Sequence, residues 1–312
     1  MVNYNDFRIT DDHSFNLYNA IEYCRQNGED GIVFEKGRYD FYPNMASEHL
    51  LHISNHDVYG ETRIAFLLKD MANFTVDGGG SEFVFHGFMV PFALLGTRNV
   101  TIKNLSITYE CTKAICAEIL RVDDDSFDFK RLYGSKCYVE GKKIYFCEDD
   151  GRDEPFRYLT IVNDGTSKEM IPESRDCFDK AMYFEWLGED LFRCCNRAPA
   201  LELREGMRLC IRADKRLACN IFLESCTDTL IEDVTMYRSY GMGVLASRSH
   251  NVTIDKMTVK ASDDDYFSLN CDATHFVNCS GLVRVVNSSF SEQGDDAINV
   301  HGEFNPVVLK TD

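Results

Sequence analysis

The sequence predicts an all-β fold in which the chain winds as a parallel β-helix. Three features of the 312 residues support this prediction: a degenerate repeat of short strands, an amphipathic helix near the N-terminus, and a repeat-free, β-rich segment in the middle. Hydrophobic residues make up 44% of the chain, which is enough to bury a large core.

The repeat consists of a short alternating strand, one polar turn residue and a second short strand. It occurs at residues 73–78, 99–107, 228–236, 251–259 and, loosely, 282–290. Asn104, Asp233 and Asn287 occupy the turn position. The start-to-start spacings are 26, 23 and 31 residues (73 to 99, 228 to 251, 251 to 282), and such spacings are typical of a solenoid.

A β-sandwich is the structural alternative. Its hairpins would place Asn-Gly or Asp-Gly pairs between alternating strands, at spacings of about 8–12 residues. Such pairs are nearly absent from the repeat segments, so the β-helix is favoured. Six Asn-x-Ser/Thr triplets lie in strand-like segments, and we interpret their asparagines as repeat residues rather than glycan acceptors. They begin at Asn73, Asn99, Asn104, Asn251, Asn278 and Asn287.

One amphipathic helix is predicted close to the N-terminus. Its apolar side consists of Leu17, Ala20, Ile21 and Cys24. Asp11, Asp12 and Ser14 are candidate N-terminal caps, and Gly28 is expected to end the helix. We expect this helix to cover the apolar interior of the first β-helix rung.

The repeat disappears between about Thr108 and Met207, where strand-like pieces surround an acidic turn at residues 123–125. We therefore predict three segments. Residues 1–107 form the cap and the first rungs, residues 108–217 an inserted β-rich domain, and residues 218–312 the rungs that carry the candidate carboxylates.

The composition restricts the possible partners and the compartment. Lys and Arg number 33 against 51 for Asp and Glu, a net charge of −18, which disfavours nucleic acid and anionic membranes as partners. No apolar stretch is long enough for a membrane span, and no secretory signal is visible. The 13 cysteines include no Cys-x-x-Cys pair, so we interpret them as reduced core residues of a cytoplasmic protein. The sequence indicates no oligomeric state.

The residues with the best catalytic potential lie near the C-terminal end. Asp272 precedes Asp295 by 23 residues and Asp296 by 24, which is one repeat. In a parallel β-helix these carboxylates should lie in neighbouring rungs, where strands are about 4.8 Å apart. Carboxyl groups within about 5–9 Å of each other are what glycosidic-bond hydrolysis needs. A ladder of solvated turns or a calcium site is the alternative.

Other chemistries find less support. The chain has no Gly-x-Ser-x-Gly elbow, no phosphate-binding Gly-Lys-Ser/Thr loop and no Gly-x-Gly-x-x-Gly fingerprint. No organic cofactor is expected. Asp263, Asp264 and Asp265 could form a metal site, but we interpret them as a solvated acidic turn.

Two motifs carry a family resemblance: residues 272–279, which begin Asp-Ala-Thr-His-Phe, and residues 295–302, Asp-Asp-Ala-Ile-Asn-Val-His-Gly. They resemble the family 110 glycoside hydrolases, which are exo-acting α-1,3-galactosidases built on a right-handed parallel β-helix with β-barrel additions. The resemblance covers essentially the whole chain. Family members are much longer, so we expect an open last rung near residue 302.

The resemblance implies inverting hydrolysis of terminal galactose linked α-1,3 to galactose, as in blood-group B-type or linear glycans. Asp272 matches the general acid, and Asp295 and Asp296 match the carboxylates that activate water. The neighbouring His275, Asn299 and His301 are candidates for binding sugar hydroxyls, for holding the carboxylates, or for corner hydrogen bonds within the solenoid.

Two alternatives remain at this point. Residues 270–272 (Asn-Cys-Asp) and 294–296 (Gly-Asp-Asp) also resemble polygalacturonase motifs, although the later Gly-His-Gly and Arg-x-Lys motifs of that family are missing. The charge of −18 fits a neutral galactoside better than a polyuronate. A non-catalytic β-helix that binds glycans or acts as a structural spacer is the other alternative.

Overall fold

The structure, a computed structural model, describes residues 1–53, 58–112, 114–147, 154–171, 176–177, 182–197, 202–213 and 218–303. Strands dominate these residues, so the all-β prediction is confirmed. The described part contains one α-helix, α1 (His13–Asn27), and two short 3-10 helices (Tyr4–Phe7 and Pro43–Met45).

The strands in chain order are β1 (Val2–Asn3), β2 (Gly31–Val33), β3 (Arg38–Phe41), β4 (Ser47–Ile53), β5 (Val58–Lys69), β6 (Ala72–Phe85), β7 (Val90–Leu95), β8 (Arg98–Tyr109), β9 (Ala114–Val122), β10 (Ser126–Gly134), β11 (Cys137–Glu140), β12 (Lys143–Phe146), β13 (Glu154–Asn163), β14 (Asp176–Cys177), β15 (Tyr183–Gly188), β16 (Leu191–Cys195), β17 (Arg208–Ala213), β18 (Ile221–Glu224), β19 (Thr227–Met236), β20 (Val244–Ser247), β21 (His250–Asp255), β22 (Thr258–Val259), β23 (Thr274–Val277), β24 (Ser280–Val286), β25 (Ser289–Phe290) and β26 (Ile298–His301).

Two of the three sheets are built from parallel strands. Sheet A has the order β1-β2-β6-β8-β19-β21-β24, with β3 beside β6 and the short strands β22 and β25 continuing it. Sheet B has the order β26-β23-β20-β18-β7-β5-β4 and is parallel except for the pair β4 and β5. From β5 onward, outside the segment β9–β17, the chain alternates between these sheets. We call one turn of this alternation a rung: it contains one or two consecutive strands of sheet A and the strand of sheet B that follows them.

Aromatic side chains fill the space between sheets A and B. Phe66 and Phe92 of sheet B stack at 4.2 Å between ring centroids, and Phe83 of sheet A lies 5.5 Å from Phe66; all three are fully buried. Pairing through β18 and β20 aligns Phe92 with Thr274 of β23. Because side chains alternate along a strand, His275 points to the opposite face of sheet B.

The turn residues of the repeat adopt the left-handed conformation, which asparagine and aspartate tolerate better than most residues. Asn104, Asp233 and Asn287 have φ angles of 56°, 53° and 52°, so the predicted turns are confirmed. All six asparagines of the Asn-x-Ser/Thr triplets also have φ between 52° and 56°. Neighbouring turns are joined by side chains: Asn99 donates to Asn73 and Asn251 donates to Asp228, each over 2.8 Å.

Helix α1 forms where the sequence predicts it. The Asp12 carboxylate caps its start by accepting from the backbone N–H groups of Ser14 and Phe15, and Gly28 ends it with φ of 68°. The four predicted apolar residues are buried against the first strands. No helix in the described part of the chain is long and apolar enough to cross a membrane.

The nine strands β9–β17 form a separate sheet C, with the order β11-β12-β13-β17-β9-β10-β16-β15 and β14 beside β13. Its pairs are antiparallel, and it has a hydrophobic core of its own that includes Phe127, Phe129 and Phe192. Phe267, from the loop before β23, packs with residues of β9, β13 and β17 and joins sheet C to the parallel sheets. The domain boundaries at residues 108 and 217 stay predictions.

Candidate active site

The candidate carboxylates lie in the loops that lead from sheet A into strands β23 and β26 of sheet B. The backbone N–H of Ala273 donates to the carbonyl of Asp296 over 2.9 Å, and that of Thr274 donates to the carbonyl of Ala297 over 3.2 Å. This register places Asp272 beside Asp296 in neighbouring rungs, about 4.8 Å apart along the sheet. The spacing of one repeat therefore stacks these two residues, as the sequence predicts.

The three carboxylates have different surroundings. Asp272 is 2% exposed, whereas Asp295 and Asp296 are exposed. One ligand atom each of Cys271, Asp272 and Asp295 lies within 4.8 Å of the others, and the Cys271 thiol donates to Asp272 Oδ1 at 3.4 Å. Among the described residues this is the one such group that could share a metal ion. The second oxygen of Asp272 is bound to His275.

His275 links Asp272 to the last described rung. Its Nδ1 lies 2.5 Å from Asp272 Oδ2, and its Nε2 lies 2.7 Å from His301 Nε2. His275 is fully buried, and the two imidazole rings are nearly perpendicular. His301 Nδ1 is 3.1 Å from the carbonyl oxygen of Gly302. The structure thus joins three of the predicted site residues in one hydrogen-bonded chain.

The hydrogen bonds that join Asp272, His275 and His301 restrict where the protons of these side chains can be. A carbonyl oxygen only accepts, so His301 Nδ1 carries a hydrogen toward Gly302. With His301 neutral, its Nε2 accepts from the N–H of His275, and one proton lies between His275 Nδ1 and Asp272 Oδ2. With His301 protonated, the direction reverses, and neutral His275 donates its Nδ1–H to an ionised Asp272. The Asp272–His275 pair therefore holds a transferable proton in the first arrangement.

Two further predictions concern residues that do not belong to these hydrogen-bonded side chains. Asn299 lies beside His275 in the parallel pairing of β23 and β26 and is half-buried. The interpretation of residues 263–265 as a solvated turn is wrong for Asp265, which is 1% exposed. Arg238 binds the two oxygens of Asp265 at 2.7 and 2.9 Å and also donates to the carbonyls of Tyr109 and Glu110. A buried carboxylate needs such a partner, and here it comes from the preceding rung.

Several curated proteins are similar to this chain over most of its length. Two proteins of Phocaeicola vulgatus, both called α-1,3-galactosidase B, are 31% and 33% identical to it over 90% and 92% of the chain. One protein of Parabacteroides distasonis with the same name is 30% identical over 93%. The similarity to α-1,3-galactosidases thus extends over nine-tenths of this chain.

The similarity confirms the resemblance carried by the two motifs. The chain spans about half the length of these galactosidases, between 47% and 49% of each. The model of glycosyl hydrolases family 28 also matches residues 209–310, the part that contains all the candidate carboxylates. The similarity to galactosidases therefore includes the two loops in which Asp272 and Asp296 stack.

Two residues of the site were missed by the sequence prediction. Cys271 stands inside the Asn-Cys-Asp motif, and its fixed contact with Asp272 could have been suspected from that adjacency alone. Arg212 of β17 reaches the same loop from sheet C and donates to the carbonyl of Asn270 at 2.6 Å. No local pattern indicates it, because sixty residues (212 to 272) separate Arg212 from the candidate acid.

Proposed function

We propose that this protein is an exo-acting glycoside hydrolase that removes terminal α-1,3-linked galactose from oligosaccharides by inversion. The observation that carries the proposal is the stacking of Asp272 and Asp296 on neighbouring rungs, with Asp272 bound to His275. The names of the relatives supply the linkage and the sugar. Blood-group B-type and linear glycans that end in this disaccharide are the proposed substrates.

Asp272 acts as the general acid in this proposal. Its hydrogen bond to His275 keeps a proton at the pair, and that proton would pass to the oxygen of the leaving group. Both ring nitrogens of His275 are engaged within the protein, so His275 positions Asp272 rather than binding the sugar. Both ring nitrogens of His301 are engaged as well, by His275 and by the Gly302 carbonyl, so His301 supports His275. Asn299 is half-buried and remains the candidate for contacts with galactose hydroxyls.

Asp296 is the better candidate for the general base. Inverting enzymes keep their two carboxyl groups about 6.5–9.5 Å apart to make room for the attacking water. Asp295 has an oxygen within 4.8 Å of one of Asp272, which is closer than this range. We therefore assign water activation to Asp296 and support of the site to Asp295.

The fold that we propose around this site is a right-handed parallel β-helix with α1 as its cap and sheet C as a barrel-like insertion. The alternation of the chain between the parallel sheets A and B supports this architecture. In a coil of this kind the rung spacing alone fixes the separation of residues one repeat apart. The carboxylate spacing is then a direct product of the repeat length.

Substrate specificity tests the proposal. We expect the purified, folded chain to release galactose from a Galα1-3Gal-terminated oligosaccharide, and to leave a Galα1-4Gal oligosaccharide intact. The match to family 28 favours one competing function, hydrolysis of polygalacturonate, which new reducing ends would reveal. Binding of the α-1,3 oligosaccharide without hydrolysis, by a folded chain, would instead favour a non-catalytic glycan-binding module.

A further inference from the structure

Arg212 lies at the junction between sheet C and the two carboxylate loops. It belongs to β17, and its side chain is 1% exposed, which makes it one of the largest fully buried side chains of the protein. Its guanidinium lies 5.3 Å from the ring centre of Phe267, in the loop that precedes Asp272. A buried cation is costly unless its N–H groups are satisfied, so its contacts must be specific.

One guanidinium nitrogen of Arg212 touches both carboxylate loops. Nη1 donates to the carbonyl of Asn270, two residues before Asp272, at 2.6 Å. The same atom packs against Gly294, the residue before Asp295: a Cβ on Gly294 would come within 2.4 Å of it. Glycine at this position is explained by that close approach.

The opposite side of the guanidinium is held by sheet C. Arg212 Nη2 donates to the hydroxyl of Thr160 on the adjacent strand β13 at 2.9 Å. The paired strands β13 and β17 therefore fix the direction of the side chain before it reaches the loops. The two loops also bind each other, since the N–H of Gly294 donates to the carbonyl of Leu269 over 2.9 Å.

We propose that Arg212 is a positioning residue for hydrolysis, which holds the Asp272 loop and the Asp295–Asp296 loop at the separation that the reaction requires. Sheet C is then a functional part of the active site, because it supplies the group that fixes the carboxylates. Errors of about 1 Å in such a geometry can lower a rate by about 10²-fold. The kinetic part of this inference rests on the proposed galactosidase function, whereas the structural part does not.

The test compares Arg212→Met with Arg193→Met in the same sheet. Arg193 pairs with Asp128 on the neighbouring strand, so its loss removes a half-buried ion pair of sheet C without touching the carboxylate loops. For Arg212→Met we expect kcat on the α-1,3 oligosaccharide to fall by about 10²-fold with KM changed by less than about threefold. Arg212→Lys keeps one donor and the charge and should recover part of kcat. Arg193→Met should match the wild type.

A measurement without substrate separates this inference from the proposed function. Cys271, between the clamped Asn270 and Asp272, is fully buried, and alkylation by iodoacetamide reports opening of that loop. We expect Arg212→Met to speed labelling of Cys271 by about tenfold or more, while buried Cys24 in α1 labels at the wild-type rate. The labelling rates test whether Arg212 holds the two loops even if the wild-type chain hydrolyses no galactoside.

The outcomes are distinct. Labelling of Cys271 and kcat in Arg212→Met that both equal those of Arg193→Met would overturn the proposal. If Arg212→Met unfolds, Cys24 also labels quickly, and the labelling of Arg212→Lys then tests the proposal. Faster labelling of Cys271 alone in Arg212→Lys supports the positioning role of Arg212, and labelling at the wild-type rate contradicts it. Loss of kcat with unchanged labelling would also contradict it, because the loops would then be in place without Arg212.

Discussion

The parallel sheets and sheet C differ in how the sequence determines them, and each contributes differently to the site. Except where sheet C is inserted, neighbouring parallel strands of sheets A and B lie one repeat apart in the sequence, so the repeat length brings Asp272 and Asp296 into neighbouring rungs. In sheet C the strand order does not follow any repeat, and β9 pairs with both β10 and the distant β17. The parallel sheets thus position the carboxylates, and sheet C adds Arg212 through packing.

The two regions also have separate cores. Phe66, Phe83 and Phe92 pack between sheets A and B, and Phe129 and Phe192 stack inside sheet C. Phe267 and Arg212 are among the residues that join the two regions. Changes to the chemistry, to either core and to the N-terminal cap should therefore have separable effects.

The largest effect is expected from Asp272→Asn. This substitution removes the proposed general acid, which the parallel sheets position. An amide cannot act as the acid, so kcat should fall by about 10²–10⁴-fold while the melting temperature stays close to that of the wild type. Asp228→Asn is the matched control, because Asp228 only accepts a hydrogen bond from the Asn251 side chain in a repeat turn. Equal activity of the two variants would show that Asp272 is not the acid.

Paired core substitutions sharpen the comparison of the two regions. Phe92→Ala and Phe129→Ala each delete a fully buried ring, so each should lower the free energy of unfolding of its own region by about 3–5 kcal/mol. Hydrogen exchange read by mass spectrometry should show the loss in sheets A and B for Phe92→Ala, and in sheet C for Phe129→Ala. Uniform loss across both regions in either variant would mean that they unfold as one unit.

A smaller effect is expected at the start of α1. The Asp12 carboxylate accepts two backbone hydrogen bonds there, so Asp12→Ala should lower the free energy of unfolding by about 1 kcal/mol. The exposed neighbour Asp11 is the control, and Asp11→Ala should cost less than about 0.5 kcal/mol. Urea unfolding followed by circular dichroism measures both; the reverse ranking would place the cap at Asp11.

The smallest predicted effect is a pH dependence of the cap. Burial, together with the nearby charge of Arg8, lowers the pKa of His13, whose ring is hydrogen-bonded to the Tyr4 hydroxyl at 2.7 Å. The folded state thus binds this proton less readily than the unfolded state. The stability from neutral His13 is fully present above a pH of about 6.5 and is lost as the pH falls through the lower folded pKa.

The variant His13→Gln isolates this effect from other titrating groups. Glutamine keeps a hydrogen-bonding side chain and cannot gain a charge, so its melting temperature should fall less than that of the wild type between pH 7.5 and 5.5. Parallel curves for the two proteins would show that His13 does not contribute to the pH dependence.

What the sequence predicts here follows from local and periodic signals. The caps of α1, the left-handed turns at Asn104 and Asp233, and the alignment of Asp272 with Asp296 depend on spacing within one or two repeats. The ion pair of Arg238 with the buried Asp265 could not be predicted, because a run of three aspartates normally indicates a solvated turn. The role of Arg212 could not be predicted either, because it depends on packing between the two regions and not on a local pattern.

Proton NMR of the hydrolysis, followed from the first turnover, tests the central claim most directly. The folded chain would be mixed with a Galα1-3Gal-terminated oligosaccharide, and the anomer of free galactose recorded before mutarotation. We predict that β-galactose appears first, because Asp272 and Asp296 would act on opposite faces of the sugar with water between them. First appearance of α-galactose would contradict inversion and assign Asp295, which has an oxygen within 4.8 Å of one of Asp272, as a nucleophile. No galactose from a folded chain would contradict the hydrolytic function itself.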